Sequence, residues 1–129
     1  MKTEEHKKVL EEHERNIKRC INEGIEENQR NLGYNISQAS IEMLSMHLLK
    51  LSLVSLSVNF DHRIFKNSEY IKKIFTFDFE NKEKILGIMR KIEEKRNLVC
   101  YGKRKPKKDV EEMIEFYHQL KETVGEKNE

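Results

Sequence analysis

The chain has 129 residues, of which 37% are charged and 36% hydrophobic, and its formal net charge is +2. This length favours one domain built on one core, so residues 1–129 are interpreted as a single helical domain. One proline and five glycines provide few turn signals, which favours an all-α fold over a fold of many short strands. The near-neutral charge excludes a generally sticky polycation, and the clustering of basic residues becomes the informative feature.

The two cysteines, Cys20 and Cys100, have neither a zinc-ligand spacing nor the density of a disulfide framework. The first residues, MKTEEHKKVLEEHE, carry charges where a secretory signal requires an apolar run. We therefore expect a cytoplasmic protein with reduced thiols. Neither a metal site nor a cofactor is predicted.

The first predicted element is a long amphipathic helix from about Glu4 to Asn31, in which apolar residues recur at steps of three and four. Gly33 is predicted to break this helix. Asn35 followed by Gln38 resembles an N-cap with its capping-box partner, so a second helix is expected to begin there. The core bundle is accordingly predicted to span residues 35–124.

An apolar run over Ile41–Val58 predicts the core helix of the bundle. It is not interpreted as a membrane span, because His47 and Lys50 interrupt a run that is already marginal for the roughly 20 residues needed. The segment Asn59–Glu80 predicts a linker with one or two short helices, the later one capped by Ser68. Its aromatic residues are expected to cover the core, with base stacking as the less favoured alternative.

The next helix is predicted to begin at Asp78 or Asn81 and to end at Gly102. Its apolar stripe passes through Arg96, so this side chain is expected to face inward, where an unpaired charge is costly. Two interpretations remain open. Arg96 either bonds the last carbonyls of the helix or an acidic neighbour, or it faces a groove and binds phosphate.

A dense basic loop follows, and the last amphipathic helix begins near Pro106. Such a loop is typical of a surface that binds a nucleic-acid backbone or another polyanion. A solvated loop and a dock for an acidic partner helix are equally open interpretations. Its basic residues are Lys103, Arg104, Lys105, Lys107 and Lys108.

A helix that ends in Arg-Asn-x-x-x-Tyr-Gly, followed by a short loop and a last helix, resembles the C-terminal half of HEPN-domain proteins. Arg96, Asn97, Tyr101 and Gly102 carry this resemblance. It implies an antiparallel bundle of four or five helices and a homodimer in which two motifs line one cleft. Active members of the family cleave RNA without a metal, and others partner small nucleotidyltransferases in toxin–antitoxin pairs.

The motif departs from the family pattern at Tyr101, which stands where the catalytic histidine is expected. A phenol is a poor general base at neutral pH, so a catalytic pair of Arg96 and Tyr101 is expected to give weak or no ribonuclease activity. The resemblance thus predicts binding of RNA or a nucleotide by Arg96, Asn97, Tyr101 and the basic loop. The alternative is a non-enzymatic helical module that binds a nucleotidyltransferase or another protein.

Overall fold

The computed structural model describes residues 1–125, which form five α-helices, one short 3-10 helix and no strand. The prediction of an all-α helical bundle is confirmed. None of the helices within these residues is both long enough and apolar enough to cross a membrane. The helices are α1 (Thr3–Glu23), α2 (Gln29–Lys50), α3 (Ser68–Ile74), α4 (Lys82–Val99) and α5 (Lys107–Val124), with the 3-10 helix at His62–Lys66.

The long first helix predicted over residues 4–31 is wrong, because α1 ends at Glu23 and a turn precedes α2. Gly24 adopts a φ of 129°, a region that only glycine enters without strain, and its amide donates to the carbonyl of Cys20. Gly33 lies instead within α2. The break thus occurs nine residues before the predicted one.

Gly33 allows α2 and α4 to approach closely. A Cβ at this position would lie 2.6 Å from Val99 Cγ2 and 2.9 Å from Cys100 Sγ, both well inside normal contact distance. Asn35 also lies within α2 and is not an N-cap. Its side-chain amide donates to the carbonyl of Asn31 at 2.8 Å.

Helix α2 is the centre of the bundle and packs against α1, α4 and α5. Its buried residues occur along its whole length, from Gln29 to Leu48. Helix α1 runs antiparallel to it, as two cross-helix hydrogen bonds show: His6 with Glu42 at 2.5 Å and His13 with Asn35 at 2.8 Å. The core formed by α2 and its neighbours therefore fixes the position of the C-terminal end of α4.

The core helix predicted to reach Val58 ends earlier, at Lys50. Ser52 takes a left-handed φ of 60°, and the amide of Leu53 donates to the carbonyl of Leu48, which closes the helix end. Beyond the helix, Leu56 is 55% exposed, whereas Leu53 and Val54 are partly buried and pack against the core from the connecting segment. The apolar run of the sequence therefore extends beyond the end of α2.

The predicted linker with short helices is confirmed over residues 59–80. Asn67 caps α3, since its side chain accepts from the amide of Tyr70, and Ser68 is the first helical residue. Phe65 and Phe75 are almost completely buried, with their ring centroids 5.8 Å apart. These two aromatic residues therefore pack into the core, as expected.

Candidate functional site

The candidate site lies where α4 ends and the chain turns towards α5. The amide of Cys100 donates to the carbonyl of Arg96 and closes α4 two residues before the predicted stop at Gly102. Gly102 then takes a φ of 72°, which a glycine adopts at little cost. Pro106 precedes α5 with a fixed extended geometry. The basic loop is therefore a short connection held between two helix ends.

Arg96 is buried, with 8% of its surface exposed, which confirms the inward position that its place in the apolar stripe predicts. Its Nη1 donates to the Tyr101 hydroxyl at 3.1 Å, and its guanidinium carbon lies 5.8 Å from the centroid of the Tyr101 ring. Its Nε is buried and has no hydrogen-bond partner within residues 1–125. The guanidinium can donate five hydrogen bonds, so most of its capacity is unused.

No carboxylate of residues 1–125 forms an ion pair with Arg96. Glu93, one turn earlier on α4 and also buried, is hydrogen-bonded to Nδ1 of His62 at 2.9 and 3.0 Å. The buried acid one turn before Arg96 is thus engaged by another element. Of the two interpretations of Arg96, bonding to an acidic neighbour is not observed, and the last carbonyls of α4 do not accept from it.

Tyr101 is 56% exposed and lies against the Arg96 guanidinium at the surface. Asn97, the residue after Arg96 on α4, is also exposed. The structure therefore brings together the motif residues of α4 and the turn: a buried cation, an aromatic ring beside it, and a polar side chain at the rim. An exposed ring next to a guanidinium is a surface on which a nucleotide base can stack.

The basic loop is attached to the start of α2 by Gln29, which is 2% exposed. Gln29 Oε1 accepts from the Lys105 amide at 2.7 Å, and its Nε2 donates to the Lys105 carbonyl at 3.0 Å. Arg104 reaches in the same direction, because its Nη1 donates to the carbonyl of Glu26 at 3.1 Å. Two of the five basic loop residues are therefore involved in holding the loop.

Arg30 makes a second attachment that sequence reasoning missed. Its Nη1 donates to the carbonyl of Cys100 at 3.0 Å, and its Nη2 donates to the carbonyl of Gly102. Both acceptors are at least 70 residues away in sequence, so no local pattern pointed to them. Glu26, four residues before Arg30, forms no ion pair with it.

The predicted basic loop residues thus divide into two groups. Arg104 and Lys105 bond backbone carbonyls, the latter through Nζ to Lys103 and Tyr101. The side chains of Lys103, Lys107 and Lys108 are exposed and form no hydrogen bond or ion pair with another residue in the described part of the chain. These three lysines are the ones that remain available to an external anion.

Lys95, which lies upstream of the motif, connects α4 to α5. Its Nζ is within hydrogen-bond distance of Asp109 and Glu112, at 2.9 and 2.5 Å. Burial opposes the charge on Lys95, but the hydrogen bonds to Glu112 and Asp109 outweigh it and raise the pKa of the ammonium group above its ordinary value. Lys95 therefore contributes to the fold more than to a positive surface.

Cys100 lies beside the motif, and burial raises the pKa of its thiol despite the nearby positive charges of Arg96 and Arg30. A thiol in this state is a weak nucleophile at neutral pH. His118 lies in a groove between α1 and α5 and not beside Arg96. Within residues 1–125, no group of three or more potential metal ligands is present.

Comparison of the chain with protein-family models, curated proteins and solved structures found no match.

Proposed function

We propose that this protein is a HEPN-like homodimer that binds RNA or a nucleotide at the end of α4. The observation that supports this function best is Arg96, a buried guanidinium that makes a single hydrogen bond and has no carboxylate partner within residues 1–125. A buried cation in this state is stabilised by an incoming phosphate, which accepts charge-assisted hydrogen bonds from it. The exposed Tyr101 ring lies beside the guanidinium.

The ligand has both a phosphate and a base or sugar in this proposal. The phosphate binds Arg96 and the available lysines, Lys103, Lys107 and Lys108, while the base stacks on Tyr101. Asn97, which is exposed beside Arg96, donates a hydrogen bond to the ligand or accepts one from it. Arg104 and Lys105 keep the loop in place and contribute less to binding than their charge alone predicts.

Weak or no ribonuclease activity is part of the proposal, with Arg96 and Tyr101 as the pair that any cleavage requires. Arg96 stabilises negative charge on a phosphate, but the phenol of Tyr101 is a poor general base at neutral pH. A protein of this kind fits a toxin–antitoxin pair in which RNA is bound and a partner protein controls access to the site.

The experiment is RNA binding over a salt series with the wild-type protein, with RNA integrity followed on the same samples. Tyr101→Phe and a triple Lys→Gln variant at 103, 107 and 108 alter exposed groups and should fold normally. We expect the triple variant to reduce the salt dependence by up to about two units of log–log slope, because single-stranded contacts contribute about 0.7 each.

Arg96→Lys tests the guanidinium itself, because it keeps the charge and loses the planar donors. Arg15→Lys, the same substitution at an exposed arginine of α1, is the matched control. We expect Arg96→Lys to weaken RNA binding by about tenfold and Arg15→Lys to leave it unchanged. Equal binding by both variants, with both folded by circular dichroism, would refute the proposed site.

A second function, a non-enzymatic module that binds a nucleotidyltransferase or another protein, is favoured by the exposed apolar residues at this end. Tyr34, Leu98 and Tyr101 are each more than 40% exposed, and aromatic residues of this kind anchor protein interfaces. This function predicts no RNA binding at near-physiological salt. It also predicts that Leu98→Ser abolishes binding of the nucleotidyltransferase or other protein partner.

A further inference from the structure

The structure contains two glycines within helices, and only one of them is explained by packing. A glycine in a helix interior is less favourable than alanine, so its presence calls for a reason. At Gly33 the reason is the close approach of Val99 and Cys100. At Gly87, in the middle of α4, a Cβ would meet no heavy atom within 4 Å. No neighbour in the described chain needs the space that this glycine leaves.

Gly87 borders a cavity of about 560 Å³ between α3 and α4. This size falls within the range of small-molecule sites. The floor is apolar and well ordered by packing, since Ile71, Phe75 and Leu86 are buried in the protein core. The space beside Gly87 is therefore bounded by hydrocarbon and open to solvent on one side.

The rim of this cavity is positively charged. Lys72, Lys82 and Arg90 line it together with a single acid, Glu83. None of the three cations forms a hydrogen bond or an ion pair with a residue in the range 1–125. Lys82 and Arg90 belong to α4 and Lys72 to α3, so the cations border the cavity from both helices. An anion at this rim would meet unpaired positive charge on two sides.

We propose that this cavity binds a small amphipathic anion, an alkyl chain with a carboxylate or phosphate head group. The alkyl chain lies on the apolar floor and passes over Gly87, where a side chain would block it. The head group lies at the rim between Lys72 and Arg90. This site shares no residue with the Arg96 site, so the test of this proposal is independent of the proposed function.

The first test is isothermal titration calorimetry of the full chain with decanoate and with decyl phosphate, below their micelle-forming concentrations. We expect both anions to bind at one site and decyltrimethylammonium, the matched cation, not to bind. Octanoate should bind about 15-fold more weakly than decanoate, because it lacks two methylenes and each buried methylene contributes about fourfold in affinity. The relative affinity of the carboxylate and phosphate distinguishes the two head groups.

Variants of Gly87 and Arg90 test the contributions of the apolar floor and of the positively charged rim separately. Gly87→Leu should abolish binding of decanoate without lowering the melting temperature, because the new side chain occupies the ligand's place. Arg90→Gln should weaken binding by about threefold, whereas Lys84→Gln, an exposed lysine of α4 outside the cavity, should not. Equal binding of the cation and the anions would overturn the proposal. So would butyrate or inorganic phosphate binding as tightly as decanoate, or full binding by both Gly87→Leu and Arg90→Gln.

Discussion

Replacing each of the two helix-interior glycines with alanine gives a matched test of why each is present. Gly87→Ala adds a methyl group where no atom lies within 4 Å, so only the helix-propensity gain of about 1 kcal/mol remains. Gly33→Ala makes the same gain but places its Cβ 2.6 Å from Val99 Cγ2. Carbon atoms prefer a separation of about 3.5–4.0 Å, so α2 and α4 must separate by about 1 Å or Val99 must move.

Overpacking of this kind costs about 1–3 kcal/mol, which cancels or exceeds the propensity gain at Gly33. We therefore expect Gly87→Ala to stabilise the protein by about 1 kcal/mol and Gly33→Ala to destabilise it by up to about 2 kcal/mol. Urea unfolding followed by far-UV circular dichroism measures both, with an unchanged m-value as the check on two-state behaviour. A Gly33→Ala variant as stable as Gly87→Ala would show that the close approach of α2 to Val99 and Cys100 is not a constraint.

Three further predictions concern polar contacts. Gln29→Leu should accelerate hydrogen exchange of the Lys105 amide by about tenfold or more, because losing this buried hydrogen bond costs about 1–3 kcal/mol locally. Unchanged exchange would show that the loop is held without this hydrogen bond. The Arg63 side chain and amide lower the pKa of Asp61 to about 2, so Asp61 contributes stability above its ordinary pKa of 3.8 that is lost as the pH falls through about 2. In Arg63→Ala the pKa of Asp61 should rise towards its ordinary value but stay below it, because the backbone amide of residue 63 still donates to the carboxylate; carbon-detected NMR titration measures this rise. Lys95→Met should cost about 1 kcal/mol at neutral pH, and since the pKa of Lys95 is raised from 10.5, this difference should disappear as the pH rises through the higher folded-state value.

How far the sequence predicted the fold depended on whether each signal was local. The linker with short helices and the inward position of Arg96 were both visible as patterns within a few residues. The choice between Gly24 and Gly33 as the helix break was not, because glycine is compatible with both a left-handed turn and a close helix contact. Only the position of Val99 on α4 distinguishes the two, and it is 66 residues from Gly33 in sequence.

The end of α2 was mispredicted for a related reason. Apolar residues continue through Leu51–Val58 at a density typical of a buried helix, and no glycine or proline marks the stop. The chain ends the helix with Ser52 in a left-handed conformation, which serine adopts rarely. Periodicity reports which residues are apolar, but it does not report whether a core exists for them to join.

At the candidate site, the sequence did not reveal which basic residues are engaged within the protein. The sequence presents the Lys103–Lys108 loop as one basic surface, yet the structure uses Arg104 and Lys105 to bond backbone carbonyls. It also adds a cation, Arg30, that holds the turn from the start of α2. The loop is thus fixed mainly by Gln29 and arginine contacts that satisfy carbonyls, and these groups are not available to a ligand. In the proposed function, an anion that binds this loop would order few additional residues, because the loop is already held. Its affinity would then depend on Lys103, Lys107 and Lys108 and on Arg96, whose buried Nε has no hydrogen-bond partner within residues 1–125.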